Sequence, residues 1–201
     1  MADQPLQICI VGDELVAGAG DPRGIGWVGR VAAQSVADPM PTFFTLAAPS
    51  ETSAQLAQRW QDEVERRFLP GCDYRLVVAP GTADLEAGVS TARSRLNLAI
   101  VLDGAMRHHY SLLVIGPPPG PAATNRAVDA LSRAFGEVAR RRNIPYVDTF
   151  TPLVAHEQYL ADLAMGDGRH PGQAGYGLIA WLVLHAGWHR WLGIPEPVIP
   201  D

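Results

Sequence analysis

Carboxylates and imidazoles gather at two places far apart in this 201-residue chain. Gly12-Asp13-Glu14-Leu15 follows a short apolar run near the start, and Gly166-Asp167-Gly168-Arg169-His170-Pro171-Gly172 precedes the last long apolar stretch. A carboxylate within reach of an imidazole can move protons as an acid–base pair, and a carboxylate can also attack carbon itself. Two more segments carry small polar residues: Ala47-Ala48-Pro49-Ser50-Glu51-Thr52-Ser53 and Pro80-Gly81-Thr82-Ala83-Asp84. Ser50, Ser53 and Thr82 offer hydroxyls. Their ordinary roles are a helix-start cap for the serines and a loop hydrogen bond for Thr82.

Other chemistries are excluded or weakly signalled. All 16 cationic side chains are Arg. A lysine Schiff base and a P-loop lysine are therefore out of reach. Cys9 and Cys72 have neither metal-ligand spacing nor a disulfide framework. His185 and His189, four apart on a predicted helix, share a face, yet no third ligand lies nearby and H-E-x-x-H is absent. His108-His109 end a predicted helix, and His156 reads as a loop residue before Asp167. The glycines of Gly18–Gly26 lack the G-x-G-x-x-G order at a strand–helix turn. No metal and no organic cofactor is expected.

The elements that must hold these residues alternate. Near-continuous apolar runs at Leu6–Val11, Thr42–Leu46, Tyr74–Val78, Leu112–Ile115 and Pro145–Asp148 read as strands covered on both faces. Between and after them, helices are predicted over 27–35, 50–68, 90–108, 125–142 and 172–192. Strands alternating with helices imply right-handed βαβ units and a parallel sheet, with ligands outside the strands' carboxyl ends. The chemistry-bearing segments all sit at those ends. One domain over 1–194 with a short tail at 195–201 is expected.

This layout resembles the SGNH, or GDSL-type, esterase and acylhydrolase family, over nearly the whole chain. Gly20-Asp21-Pro22, Gly26-Trp27-Val28-Gly29-Arg30, Glu51-Thr52-Ser53-Ala54 and His170-Pro171-Gly172-Gln173-Ala174-Gly175-Tyr176 look like a bacterial branch of it. The resemblance implies a flavodoxin-like three-layer α/β/α sandwich with a five-stranded parallel sheet in the order 2-1-3-4-5. It also implies that Asp167 orients His170, and that His170 faces the residue after Gly12-Asp13. At that position the family's nucleophilic Ser is Glu14. The family's second-block Gly, an oxyanion-hole donor, falls at Ser50 or at Ala47, and its oxyanion-hole Asn is Ala83. Asp13, Gly81, Thr82 and Asp84 would line the same pocket.

These substitutions remove a hydroxyl and a side-chain donor that acyl transfer needs. Ordinary serine-esterase activity is therefore expected to be absent or very weak. Two carboxylates flanking His170 would favour its imidazolium. Two functions stay open. One is carboxylate–His chemistry on a small molecule, with Glu14 as base or nucleophile and His170 as acid or base. The other is a pseudo-hydrolase that binds a ligand or partner in the same pocket.

The formal charge of −5 gives no basic footprint for nucleic acid. Gly175–Leu192 is too polar to span a bilayer. With no targeting segment evident, a soluble cytoplasmic protein acting on a small molecule is expected. Oligomeric state leaves no trace in the sequence.

Overall fold

The computed structural model describes residues 4–196, and most of the tail segment 195–201 lies outside them. Five strands, β1 (Leu6–Gly12), β2 (Thr42–Ala47), β3 (Asp73–Ala79), β4 (Ser111–Ile115) and β5 (Tyr146–Val147), form one sheet in the order β2-β1-β3-β4-β5. Every pairing is parallel. Register places Gly12 beside both Ala47 and Ala79, so three strands end level at one edge.

All seven residues of β1 are buried, as an apolar strand sandwiched between helices requires. Its alternate side chains feed two cores. Leu6, Ile8 and Ile10 pack with α1 (Gly26–Ala33), α8 (Gln173–His185) and α9 (Trp188–Leu192). Cys9 and Val11 pack on the other face with α2 (Ser53–Glu65), α4 (Thr91–Arg107) and α5 (Asn125–Arg140). Short helices α3 (Ala83–Glu86), α6 (Phe150–Leu153) and α7 (Glu157–Met165) fill the connections. The result is an α/β/α sandwich.

Most helix ends fall within one to three residues of the sequence expectation, and two departures have a clear local cause. The second helix starts at Ser53, not Ser50, because Thr52 and Gln55 close a reciprocal capping box there. Ser50 stays outside it, with left-handed backbone at φ 53°. The last helix breaks at Gly187, whose φ of 94° ends α8 and restarts the chain as α9. Among the described residues no helix is long and apolar enough to cross a membrane.

Candidate active site

Each chemical group is aimed by local hydrogen bonding. After β1 the chain turns tightly, and Asp13 Oδ1 accepts the Leu15 N–H at 3.0 Å. That turn raises Glu14 above the sheet edge. The loop after β2 is tied down by Arg59 of α2, whose guanidinium pairs with buried Glu51 and donates to the carbonyls of Gly12 and Leu46. Ala48 N–H also donates to the Gly12 carbonyl at 2.9 Å. So fixed, Ser50 donates its backbone N–H to Glu14 Oε2 at 2.6 Å. Ser50 has left-handed backbone, while Ala47 is the last residue of β2.

His170 comes from the other end of the chain. Asp167 Oδ1 accepts the N–H groups of Arg169 and His170, both at 2.8 Å, and Oδ2 meets His170 Nδ1 at 2.5 Å. Behind it, Asp162 Oδ2 accepts the Gly172 and Gly175 N–H groups and anchors the start of α8. The loop after β1 presses on His170 from the side. Gly20 has φ 89°, and a Cβ there would lie 2.6 Å from His170 Cβ, so only glycine fits. Asp21 holds that loop by accepting from Gly26 N–H and Arg30. The ring thus presents Nε2 to Glu14 Oε1 at 3.4 Å, across 156 positions of sequence. That length is an ion-pair contact rather than a tight hydrogen bond.

The charges follow from this geometry. Burial works against the Glu14 carboxylate, but the Ser50 N–H, the residue's own N–H and His170 outweigh it and hold its pKa below the usual range. Burial likewise opposes the His170 imidazolium, and Asp167 and Glu14 together outweigh that and raise its pKa. The His170 N–H and ring, with the Arg169 N–H, keep Asp167 strongly acidic. Asp13 behaves oppositely. Burial first, then the adjacent Glu14 charge, push its pKa up to about 7.

The attraction between ring and carboxylates is therefore complete between two limits. It is lost as pH falls through the lowered Glu14 and Asp167 values, and lost again as pH rises through the raised His170 value. NMR titration of His170 should give a pKa above the free value of ~6.5, and Glu14→Gln should lower it. A native pKa at or below ~6.5 would contradict the pairing.

A cleft of about 120 Å³ opens beside the pair. Asp13, Glu14, Thr82 and His170 line one side, and the Pro118–Pro121 turn after β4 walls the other. Arg169 and Glu86 pair across its rim at 2.5 Å. Gly81 packs so closely on Asp13 that any Cβ would strike its carboxylate. Ala83 opens α3, where it brings no side-chain donor.

The placement of Asp84 corrects the sequence reading. Its carboxylate turns inward, accepting the Ser53 N–H at 2.8 Å and the Ser53 hydroxyl at 2.5 Å, while Asn97 donates to the same hydroxyl. Asp84 is 2% exposed and braces the start of α2 instead of lining the mouth. The cleft lining carries the carboxylates of Asp13, Glu14 and Glu86, offset in part by His170 and Arg169. Sequence reasoning missed Arg169, Glu86 and Arg59. Arg169 stands inside the Asp-x-x-His stretch, but nothing in spacing tells which way it points.

Three of the other histidines have structural partners. His189 is buried with Nε2 2.9 Å from the Gln34 carbonyl, and His185 stacks on Trp181. His156 caps α7.

A parallel α/β/α sandwich with the strand order 2-1-3-4-5 and an Asp–His pair in the loop before its last long helix is the scaffold of an SGNH-type hydrolase. The chain belongs to the GDSL-like lipase/acylhydrolase family, whose model matches residues 10–178. Solved structures agree on the fold. A lipase/acylhydrolase from Enterococcus faecalis is 22% identical, with 96% of this chain and 100% of that one covered at a TM-score of 0.72. An alpha/beta hydrolase from the metagenome of Lake Arreo is 21% identical, covering 92% and 95%, at 0.74. An acetylxylan esterase from Geobacillus stearothermophilus is 17% identical, covering 96% of each chain, at 0.74. No curated protein matches the sequence.

Proposed function

We propose that this protein is an enzyme of esterase/acylhydrolase lineage that acts on a small molecule through Glu14, His170 and Asp167 instead of a serine. The observation that carries this reading is the double engagement of Glu14: Oε2 on the Ser50 N–H and Oε1 facing His170 Nε2. These contacts favour the ionised form of the carboxylate and the imidazolium form of the ring beside it. Asp167 orients the ring and sustains its charge. A cleft of about 120 Å³ opens to solvent beside the pair and gives a small molecule access to it. Asp13 and Thr82 line the cleft and Gly81 packs on Asp13, while Ser50 and Ala83 mark the degenerate oxyanion positions. The two free thiols fit a reducing cytoplasm.

The test is turnover of a panel of small electrophiles followed against pH. Activity should be bell-shaped. It falls in acid as Glu14 is neutralised below its lowered pKa, and in alkali as His170 loses its proton above its raised pKa. Glu14→Gln and His170→Gln should each abolish it. Ligand binding without turnover across the panel would favour a binding protein. Turnover indifferent to Glu14→Gln would refute the role of the carboxylate.

A further inference from the structure

The contacts of Glu14 restrict which reaction it can perform. In an acyl transfer, the backbone donor after β2 must receive the oxygen of the substrate carbonyl. Here the Ser50 N–H is taken by Glu14 Oε2 at 2.6 Å, and residue 83 is Ala. An acyl substrate would find neither donor free. In attack at a saturated carbon no carbonyl oxygen gains charge, so that step needs neither. Its attacker would be Glu14 Oε1. The Ser50 N–H would then hold the carbonyl oxygen of the ester so formed, which is the arrangement that makes that ester easy to hydrolyse.

The leaving atom is narrowed as well. His170 Nε2 stands 3.4 Å from the attacking oxygen. A proton donor at that position assists a leaving oxygen and is wasted on a halide, which departs as a stable anion. An unstrained ether oxygen leaves too reluctantly, whereas a three-membered ring releases strain. The cleft of about 120 Å³ beside the pair is large enough for such a ring.

We propose that the cleft hydrolyses small epoxides to vicinal diols through a covalent ester on Glu14, an inference that rests on the functional reading above. Glu14 Oε1 bonds to a ring carbon as the carbon–oxygen bond of the ring breaks, and the released oxygen takes the proton from His170 Nε2. The neutral imidazole then removes a proton from water, which adds to Glu14 Cδ, the Oε2 charge resting on the Ser50 N–H. Collapse expels the diol oxygen, the former Oε1, which takes up the proton of the hydroxyl that water added to Glu14. One water is consumed, and both the Glu14 carboxylate and the His170 imidazolium are restored with no redox change.

The native protein incubated with propylene oxide in water labelled with heavy oxygen decides this. The expected result is diol formation in which the first turnover carries unlabelled oxygen, while the Glu14 peptide gains heavy oxygen by mass spectrometry. Glu14→Gln should slow diol formation by at least ~10³-fold, as loss of a nucleophile does. Heavy oxygen entering the first-turnover diol, with Glu14 unlabelled, would overturn the covalent step yet leave Glu14 as a base and the broader function intact. No diol above the uncatalysed rate, from propylene oxide or from ethylene oxide, would overturn the epoxide assignment, while the wider panel still judges that function separately.

Discussion

Short-chain p-nitrophenyl esters are expected to survive the native protein and to be cleaved by the double variant Glu14→Ser/Ala83→Asn. Serine at position 14 would place a hydroxyl before His170 Nε2, which already faces that residue and is already oriented by Asp167. The shorter side chain would also release the Ser50 N–H for a substrate oxygen. Asparagine at 83 would add a second donor. One such donor is worth ~10²–10³ in rate, and loss of a serine nucleophile costs on the order of 10⁶ in a model protease. Restoration on this imperfect scaffold should therefore exceed ~10³-fold over the native protein. The single change Glu14→Ser should give a smaller gain. A folded double variant no faster than the native protein would mean that residue 14 does not stand where an attacking hydroxyl belongs.

The second large effect concerns stability. Arg59→Ala should lower the unfolding free energy by about 3 kcal/mol, because it strands the Glu51 carboxylate without its partner. Glu51 is 5% exposed, and the lost guanidinium also leaves the Gly12 and Leu46 carbonyls short of a donor. The figure sits at the low end for a broken buried pair because the Arg59 side chain is 23% exposed. Urea denaturation measures it. Adding Glu51→Gln should recover part of the loss, since an uncharged amide tolerates burial better. The same loop presents Ser50 to Glu14, so the His170 pKa should fall toward its free value in Arg59→Ala. A loss under ~1 kcal/mol would show that the pair acts like an exposed one.

Much of this molecule was legible from residue order. The apolar run Leu6–Val11 required a strand covered on both faces, and five such runs separated by helices required a parallel sheet. Parallel topology then put every candidate segment at one edge. Asp167 and His170 are three apart, so their bond is local and the spacing alone allows it. Ser50 was harder, because a left-handed φ at a non-glycine residue leaves no compositional mark. The short helices α3, α6 and α7 were missed because four to nine residues are too few for a helical period to emerge.

The order of apolar runs and glycine-marked turns determined which layers form and where the sheet's active edge lies, since burial and strand pairing act on patterns that a linear chain already contains. Directions and partners across the fold were decided only in three dimensions. Asp84 turned inward because the start of α2 offered it two donors, Arg169 crossed the rim to Glu86, and Glu14 met His170. A side chain's partner depends on which remote backbone the sheet brings within a few ångströms, and no local spacing encodes that.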